Sequence, residues 1–229
     1  MMRKILVINV KGGCGKTTVA TNLSSQYAAR GYGTTLIDYD PIGSSTRWLA
    51  QRTDPFKPIH GIAAYSSPKN MTRAWQMRIP PETQRVIIDT PAGIRGQSLL
   101  DYIKDVNSII IPVLPSALDI HSSADFIRDL LLLAKVRERG IRVLIVANRI
   151  RAKTQSMEKL DRFLSALHIP VIARLRDTQN YVHAAEQGCG IHELQSYTTA
   201  QDREHWEFLL ENLEQEMTAV TQQRAVLAY

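Results

Sequence analysis

Three observations predict an α/β fold with a doubly wound, mostly parallel sheet flanked by helices. Apolar runs of strand length alternate with segments of helical spacing along the chain. The runs are continuous, as strands buried on both faces require, and the first passes through a glycine-rich loop straight into a helix. A chain of 229 residues suits one domain. No repeat, low-complexity tract or linker divides it, so residues 1–229 are expected to form a single domain, with about 219–229 a frayed tail.

In chain order, strand-like runs fall at Lys4–Val10, Thr34–Asp38, Arg85–Asp89, Ser108–Val113, Arg142–Ala147 and Pro170–Ala173. Helical spacing falls at Lys16–Arg30, Ser44–Gln51, Gln97–Lys104, Ser122–Arg139, Thr154–Leu167, Thr178–Gln187 and about Gln201–Ala219, with Gly31 and Gly140 placed as C-terminal stops. The proline-rich stretch Thr53–Pro81 lacks clear periodicity and reads as a strand followed by a short helix around Met71–Met77.

Hydrophobic content of 44% and charged content of 22% are those of a soluble globular protein. No run approaches the ~18 apolar residues of a membrane span, and the N-terminus has no cleavage pattern, so a cytoplasmic protein is expected. The two cysteines, Cys14 and Cys189, give neither a CxxC pair nor metal-ligand spacing, which argues against a disulfide framework or an iron–sulfur site. A formal net charge of +6 suits a polyanion partner, though a protein that binds only a nucleotide can carry it too.

The loop Lys11-Gly12-Gly13-Cys14-Gly15-Lys16-Thr17-Thr18 is a phosphate cradle. Its glycines let successive backbone N–H groups turn toward one anion. Lys16 can reach β- and γ-phosphates, Thr17 can hold Mg²⁺, and the following helix points its positive end at the same place. Ligands of open parallel sheets bind beyond the carboxyl ends of the strands, where Asp38 and Asp40 follow one run and Asp89 ends another. Asp89 has the form of a Walker B carboxylate that holds Mg²⁺ through water, with Asp38 near the same shell. Asn148 can present its amide to an adenine edge.

The standard motif has glycine where this chain has Val10, and a second lysine, Lys11, heads the loop. K-G-G-x-G-K-T-T resembles the deviant Walker A signature of the ParA/MinD ATPases, and the resemblance runs from Arg3 to about Glu193. Asp38-Tyr39-Asp40-Pro41 resembles that family's switch I, and Thr90-Pro91-Ala92-Gly93 its switch II. Ile42 replaces the usual glutamine of D-P-Q-G. The stretch Ile111–Asp119 resembles a segment of small partition ATPases that runs toward the dimer interface.

The resemblance implies a P-loop fold and slow, partner-stimulated ATP hydrolysis with ATP and Mg²⁺ as cofactors. It also implies an ATP-dependent sandwich dimer in which Lys11 acts on the second subunit's nucleotide. Lys11, Lys16 and Asp40 are then catalytic, Asp40 by positioning the attacking water. Lys11 to Thr18 and Asn148 bind nucleotide, while Thr17, Asp38 and Asp89 serve the metal. The family further implies nonspecific DNA as a partner, nucleoid association in the ATP state, and a cargo-bound adaptor. Candidate DNA contacts are Arg149, Arg151, Lys153, Arg174 and Arg176, which follow two strands and can share one edge.

A MinD-like membrane cycle is disfavoured because Glu214–Tyr229 holds one basic residue, Arg224, and few large apolar ones. A metal-cluster carrier or biosynthetic enzyme on the same scaffold is a distant third reading. Cys14 reads as a small residue at a variable loop position, with a redox switch beside the nucleotide as its alternative.

Overall fold

The computed structural model describes residues 2–66, 72–132, 134–136, 138–151, 154–167, 169–194 and 197–226. Seven strands form one sheet: β1 (Arg3–Val7), β2 (Thr34–Asp38), β3 (His60–Ala63), β4 (Arg85–Asp89), β5 (Ser108–Val113), β6 (Arg142–Ile150) and β7 (Val171–Arg176). Their order is β3-β2-β4-β1-β5-β6-β7, and every neighbouring pair runs parallel. The helices are α1 (Lys16–Ala29), α2 (Ser44–Gln51), α3 (Arg73–Gln76), α4 (Gln97–Ile103), α5 (Ala117–Leu132), α6 (Gln155–Leu167), α7 (Asn180–Glu186) and α8 (Ala200–Val226).

The alternation of side chains along a strand separates two cores. Leu6 and Ile8, with Ile37, Val86, Ile88, Ile109 and Ile111, face one layer and pack under Leu99 and Ile103 of α4, Phe126 and Leu130 of α5 and Leu160 of α6. Ile5 and Val7, with Leu36, Ile87, Ile110, Leu144 and Ile172, face the other layer. There they meet Leu23 and Tyr27 of α1, Trp48 of α2, and Trp206, Leu209, Leu210 and Leu213 of α8. This is the doubly wound architecture expected from continuous apolar runs. It sets β1 between β4 and β5, so the loop after β1 opens at the middle of the sheet's carboxyl edge.

Several boundaries differ from the sequence reading for physical reasons. Strand β1 stops at Val7, because Asn9 turns its side chain onto the Pro112 carbonyl (2.7 Å) and the Ser123 hydroxyl (3.1 Å). Helix α5 starts at Ala117 rather than Ser122: Ser116 caps it, accepting the Asp119 N–H at 3.2 Å while its carbonyl takes the Ile120 N–H at 3.0 Å. The described part of α5 ends at Leu132, and Gly140 closes the turn that follows with φ 66°. In the uncertain stretch, β3 and α3 supply the expected strand and short helix; Met71 lies outside the described residues. Helix α8 continues through Ala219 to Val226.

Helix α8 is pinned by Trp206, which is fully buried and donates its indole N–H to the Tyr181 hydroxyl at 3.0 Å. Asp202, also fully buried, takes both ends of the Arg176 guanidinium at 2.9 Å. Trp206→Ala is expected to destabilise the protein by about 3–5 kcal/mol, read as a lowered midpoint in urea unfolding.

Candidate functional site

The loop between β1 and α1 is fixed mainly through the backbone of one residue. Lys11 donates its N–H to Asn9 Oδ1 at 3.2 Å, and its carbonyl accepts Lys16 Nζ at 3.0 Å and Cys14 Sγ at 3.2 Å. Gly15 lies at φ 96°, in the left-handed region that favours glycine. A Cβ there would come within 2.1 Å of Asn148 Nδ2, whose amide donates to the Cys14 carbonyl at 2.9 Å. No side chain caps α1, so its first N–H groups remain available to an anion. Lys16 is only 7% exposed.

The strand-end aspartates are brought to this loop and differ in how they are satisfied. Asp38 Oδ1 accepts the Asp40 N–H at 3.0 Å, and Oδ2 accepts the Thr46 N–H at 2.9 Å and the Thr46 hydroxyl at 2.8 Å. Its carboxylate therefore ties the loop after β2 to the first turn of α2. Asp40 is half-buried and spends Oδ1 on the Ile42 N–H at 3.0 Å. Asp89 is fully buried, and neither of its oxygens accepts a hydrogen bond of good geometry among the described residues, although the Thr17 and Ser45 hydroxyls lie close enough to favour its charged form. Burial pushes its carboxyl up to about 7; the Thr17 and Ser45 hydroxyls and Lys16 pull against that rise, and the Asp38 charge adds to it.

Two unpartnered carboxylate oxygens beside a threonine hydroxyl and a cradle for phosphate are the hard oxygen donors that suit Mg²⁺. The residues thus fit the ion. Thr17 and Asp89 would hold it, while Asp38 already spends three acceptor positions on protein donors.

The segment after β4 closes against the same loop. Thr90 donates its hydroxyl to the Val7 carbonyl at 2.9 Å, and the Gly93 N–H reaches the Val10 carbonyl at 2.9 Å. A cavity of about 650 Å³ opens on the other side, lined by Thr17, Thr18, Trp48, Asn148, Arg149 and Tyr181 among others. That volume suits a drug-sized ligand. Asn148 lies within β6 at a break in register rather than after the strand, and Arg149 follows it at φ 53° with its side chain exposed. Cys14 is buried, and that burial raises its thiol pKa, which opposes thiolate chemistry.

The basic residues separate into different environments. Arg151 pairs with Asp177 at 2.6 Å and Arg174 with Asp161 at 2.8 Å, both at the surface. Arg176 grips the buried Asp202 and so belongs to the docking of α8. Arg149 has no ion-pair partner among the described residues, and Lys153 lies outside them. Sequence reasoning missed Asn9, Thr46 and the role of Asp119, whose Oδ1 lies 3.2 Å from Lys11 Nζ. The S-x-x-D spacing of Ser116 and Asp119 is a capping signal that marks the start of α5.

Comparisons with known proteins agree with this geometry. The family described as the CobQ/CobB/MinD/ParA nucleotide binding domain matches residues 5–191. Maintenance of carboxysome distribution protein A of Halothiobacillus neapolitanus is 26% identical over 194 residues, 83% of this chain and 87% of that one. Among solved structures, MinD of Pyrococcus horikoshii with Mg-ADP superposes with TM-score 0.69 at 15% identity, covering 96% of this chain and 99% of that one. Apo McdA of Cyanothece superposes with TM-score 0.67 at 17% identity, covering 92% and 100%. At these identities the two structures speak for the fold.

The raised Asp89 carboxyl has a consequence for stability. Its ordinary value is 3.8 and its folded value about 7, so between those limits the native state binds more protons than the unfolded chain. Stability without ligand is expected to fall as pH rises through that window. Asp89→Asn is expected to flatten the fall and to be the more stable protein at about pH 8, as measured by urea unfolding at about pH 5 and about pH 8.

Proposed function

The chain belongs to the CobQ/CobB/MinD/ParA nucleotide-binding family, and from that premise we propose that it is a positioning ATPase whose ATP-bound dimer holds DNA nonspecifically and moves a cargo. The observation that carries this reading is Lys11. Its backbone is pinned at the head of the phosphate loop, while its side chain is 41% exposed, a placement suited to reaching a second subunit's nucleotide. A curated relative matched over 83% of this chain and 87% of its own length is a carboxysome distribution protein, which favours a large protein assembly as the cargo.

In this mechanism the loop N–H groups and Lys16 bind the phosphates, and the cavity beside Asn148 receives the adenosine. Asn148 then has two tasks: its Nδ2 braces Cys14, and its Oδ1 can face the base. Mg²⁺, when bound, neutralises phosphate charge. The half-buried Asp40 orients a water for attack on the γ-phosphorus; the bond to the β-phosphate oxygen breaks, giving ADP and phosphate. Lys11 from the second subunit stabilises the charge that develops, so turnover waits on dimerisation. Thr90 and Gly93 couple the loop after β4 to the cradle, which gives an adaptor a route to the site. The protein would be cytoplasmic and nucleoid-associated with ATP. Among the described residues, no helix is long and apolar enough to cross a membrane.

For the DNA surface, Arg149, Arg151 and Arg174 remain the contacts we propose, and Lys153 stands with them on sequence grounds alone. Arg176 is assigned instead to the Asp202 pair: breaking such a pair leaves a buried charge and costs about 3–5 kcal/mol, so its replacement would report on folding.

Two outcomes are expected. Lys16→Ala loses nucleotide binding and Lys11→Ala retains it, read by titration calorimetry with Mg-ATP, while Lys11→Ala stays monomeric and Asp40→Ala accumulates as an ATP dimer, read by light scattering with ATP and with ADP. On double-stranded DNA, retention of the protein is ATP-dependent and falls with salt. Arg151→Glu with Arg174→Glu lowers the logarithmic salt slope by about one unit per lost phosphate contact and leaves dimerisation intact, since neither side chain lines the nucleotide cavity.

A further inference from the structure

Helix α2 is anchored separately at its two ends. Its first turn is tied to Asp38 through the Thr46 N–H at 2.9 Å and the Thr46 hydroxyl at 2.8 Å. Just past its last turn lies Arg52, with 3% of its side chain exposed and its guanidinium carbon 5.5 Å and 5.2 Å from the ring centres of Trp48 and Phe56. That guanidinium donates to both oxygens of Glu193, at 2.8 Å and 2.6 Å, and to the carbonyls of Gly188 (3.1 Å) and Lys57 (2.9 Å). Glu193 Oε2 also accepts the Gly190 N–H at 2.7 Å, and the Trp48 indole N–H reaches the Cys189 carbonyl at 3.3 Å. Gly188, at φ 63°, lets the chain pass so close that a Cβ would stand 2.5 Å from the Arg52 nitrogen. The same segment is tied to α1, where Asn22 Oδ1 accepts the Ile191 N–H at 2.8 Å. Trp48 and Gln51 line the nucleotide cavity together with Tyr181, Ala185 and Cys189, whereas Arg52 and Glu193 stand behind them and do not line it.

We propose that Arg52 and Glu193 are positioning residues for nucleoside recognition, which pin the C-terminal end of α2 to the segment after α7 and so hold the cavity at the width that adenosine needs. The inference rests on the proposed placement of adenosine in that cavity and deepens it. A buried ion pair is often no more stabilising than apolar side chains of the same volume, but its directed hydrogen bonds fix one geometry. Here the geometry fixed is the approach of α2 to Gly188–Glu193, and with it the spacing of Trp48 and Cys189. Because Asp38 and Thr46 hold the other end of α2, loosening the pair shifts the wall beside the nucleoside and leaves the phosphate loop and the metal end in place. The loss therefore falls on the nucleoside and not on the phosphates. A guanidinium is required, since a lysine ammonium cannot offer Glu193 two parallel N–H groups and still reach Gly188 and Lys57.

Arg52→Lys keeps the charge and loses the fork. Arg52→Met combined with Glu193→Gln removes both charges together, so that no buried ion is left alone, and retains an acceptor for the Gly190 N–H. Titration calorimetry of the wild-type chain and both variants with Mg-ADP and with Mg-pyrophosphate separates nucleoside from phosphate recognition, and urea unfolding reports that each variant is folded. The expected result is that ADP binding weakens at least about tenfold in both variants, while pyrophosphate binding stays within about twofold of wild type. If the double variant does not unfold cooperatively, Arg52→Lys decides alone. An unchanged ADP affinity in a folded variant overturns the proposal, and so does an equal loss of both ligands, which marks a pair that serves only the fold. If the wild-type chain binds ADP no more tightly than pyrophosphate, the adenosine reading of the cavity fails and this inference falls with it.

Discussion

Three charged groups are buried in one small cluster at the carboxyl edge of the sheet: Lys16 at 7% exposure, Asp38 at 1% and Asp89 at 0%. Burying an ionised group without compensation is strongly unfavourable, so the surrounding structure is arranged to supply partners. Asp38 obtains three protein donors from Asp40 and Thr46, and that arrangement fixes the loop after β2 against α2. Lys16 turns its ammonium to the Lys11 carbonyl, which fixes the head of the phosphate loop. Asp89 obtains no hydrogen bond of good geometry among the described residues, and burial raises its carboxyl to about 7 against the pull of the nearby Thr17 and Ser45 hydroxyls. The site is thus stabilised everywhere except where a cation would sit, a pattern that keeps binding energy for the ligand.

The glycines and asparagines around the cluster follow from the same constraint. Gly15 has to turn left-handed under Asn148, and no side chain fits between them. Asn148 and Asn9 brace the loop from β6 and from the end of β1, through Cys14 and through Pro112 and Ser123 respectively. The loop after β4 joins through Thr90 and Gly93. Movement at any of these contacts is felt at the phosphates, because the backbone groups involved are shared rather than independent. A nucleotide-driven switch needs that kind of coupling.

Much of this was legible in the sequence. The continuous apolar runs gave the parallel sheet, since strands covered on both faces have no polar positions to alternate. The cradle and its aspartates were visible because each is bound to a strand end by local spacing. What escaped was the long-range pairing of polar groups. Asp119 reads as part of a helix cap, and only the packing of α5 beside the loop brings it to Lys11. Arg176 reads as a surface arginine, and only the docking of α8 onto β7 shows that it serves the buried Asp202. Strand β3 was obscured by its shortness and by exposed residues at its edge of the sheet, His60 and Gly61.

The central claim is the proposed role of Lys11, which rests against Asp119 of its own subunit and would act on the phosphates bound by another. The measurement that tests it most directly is the crystal structure of the Asp40→Ala protein with Mg-ATP. The account predicts a face-to-face dimer in which each Lys11 ammonium has left Asp119 and contacts the nucleotide of the opposite subunit. Nucleotide bound in a subunit whose Lys11 remains on Asp119, with no second copy across the loop, would contradict it.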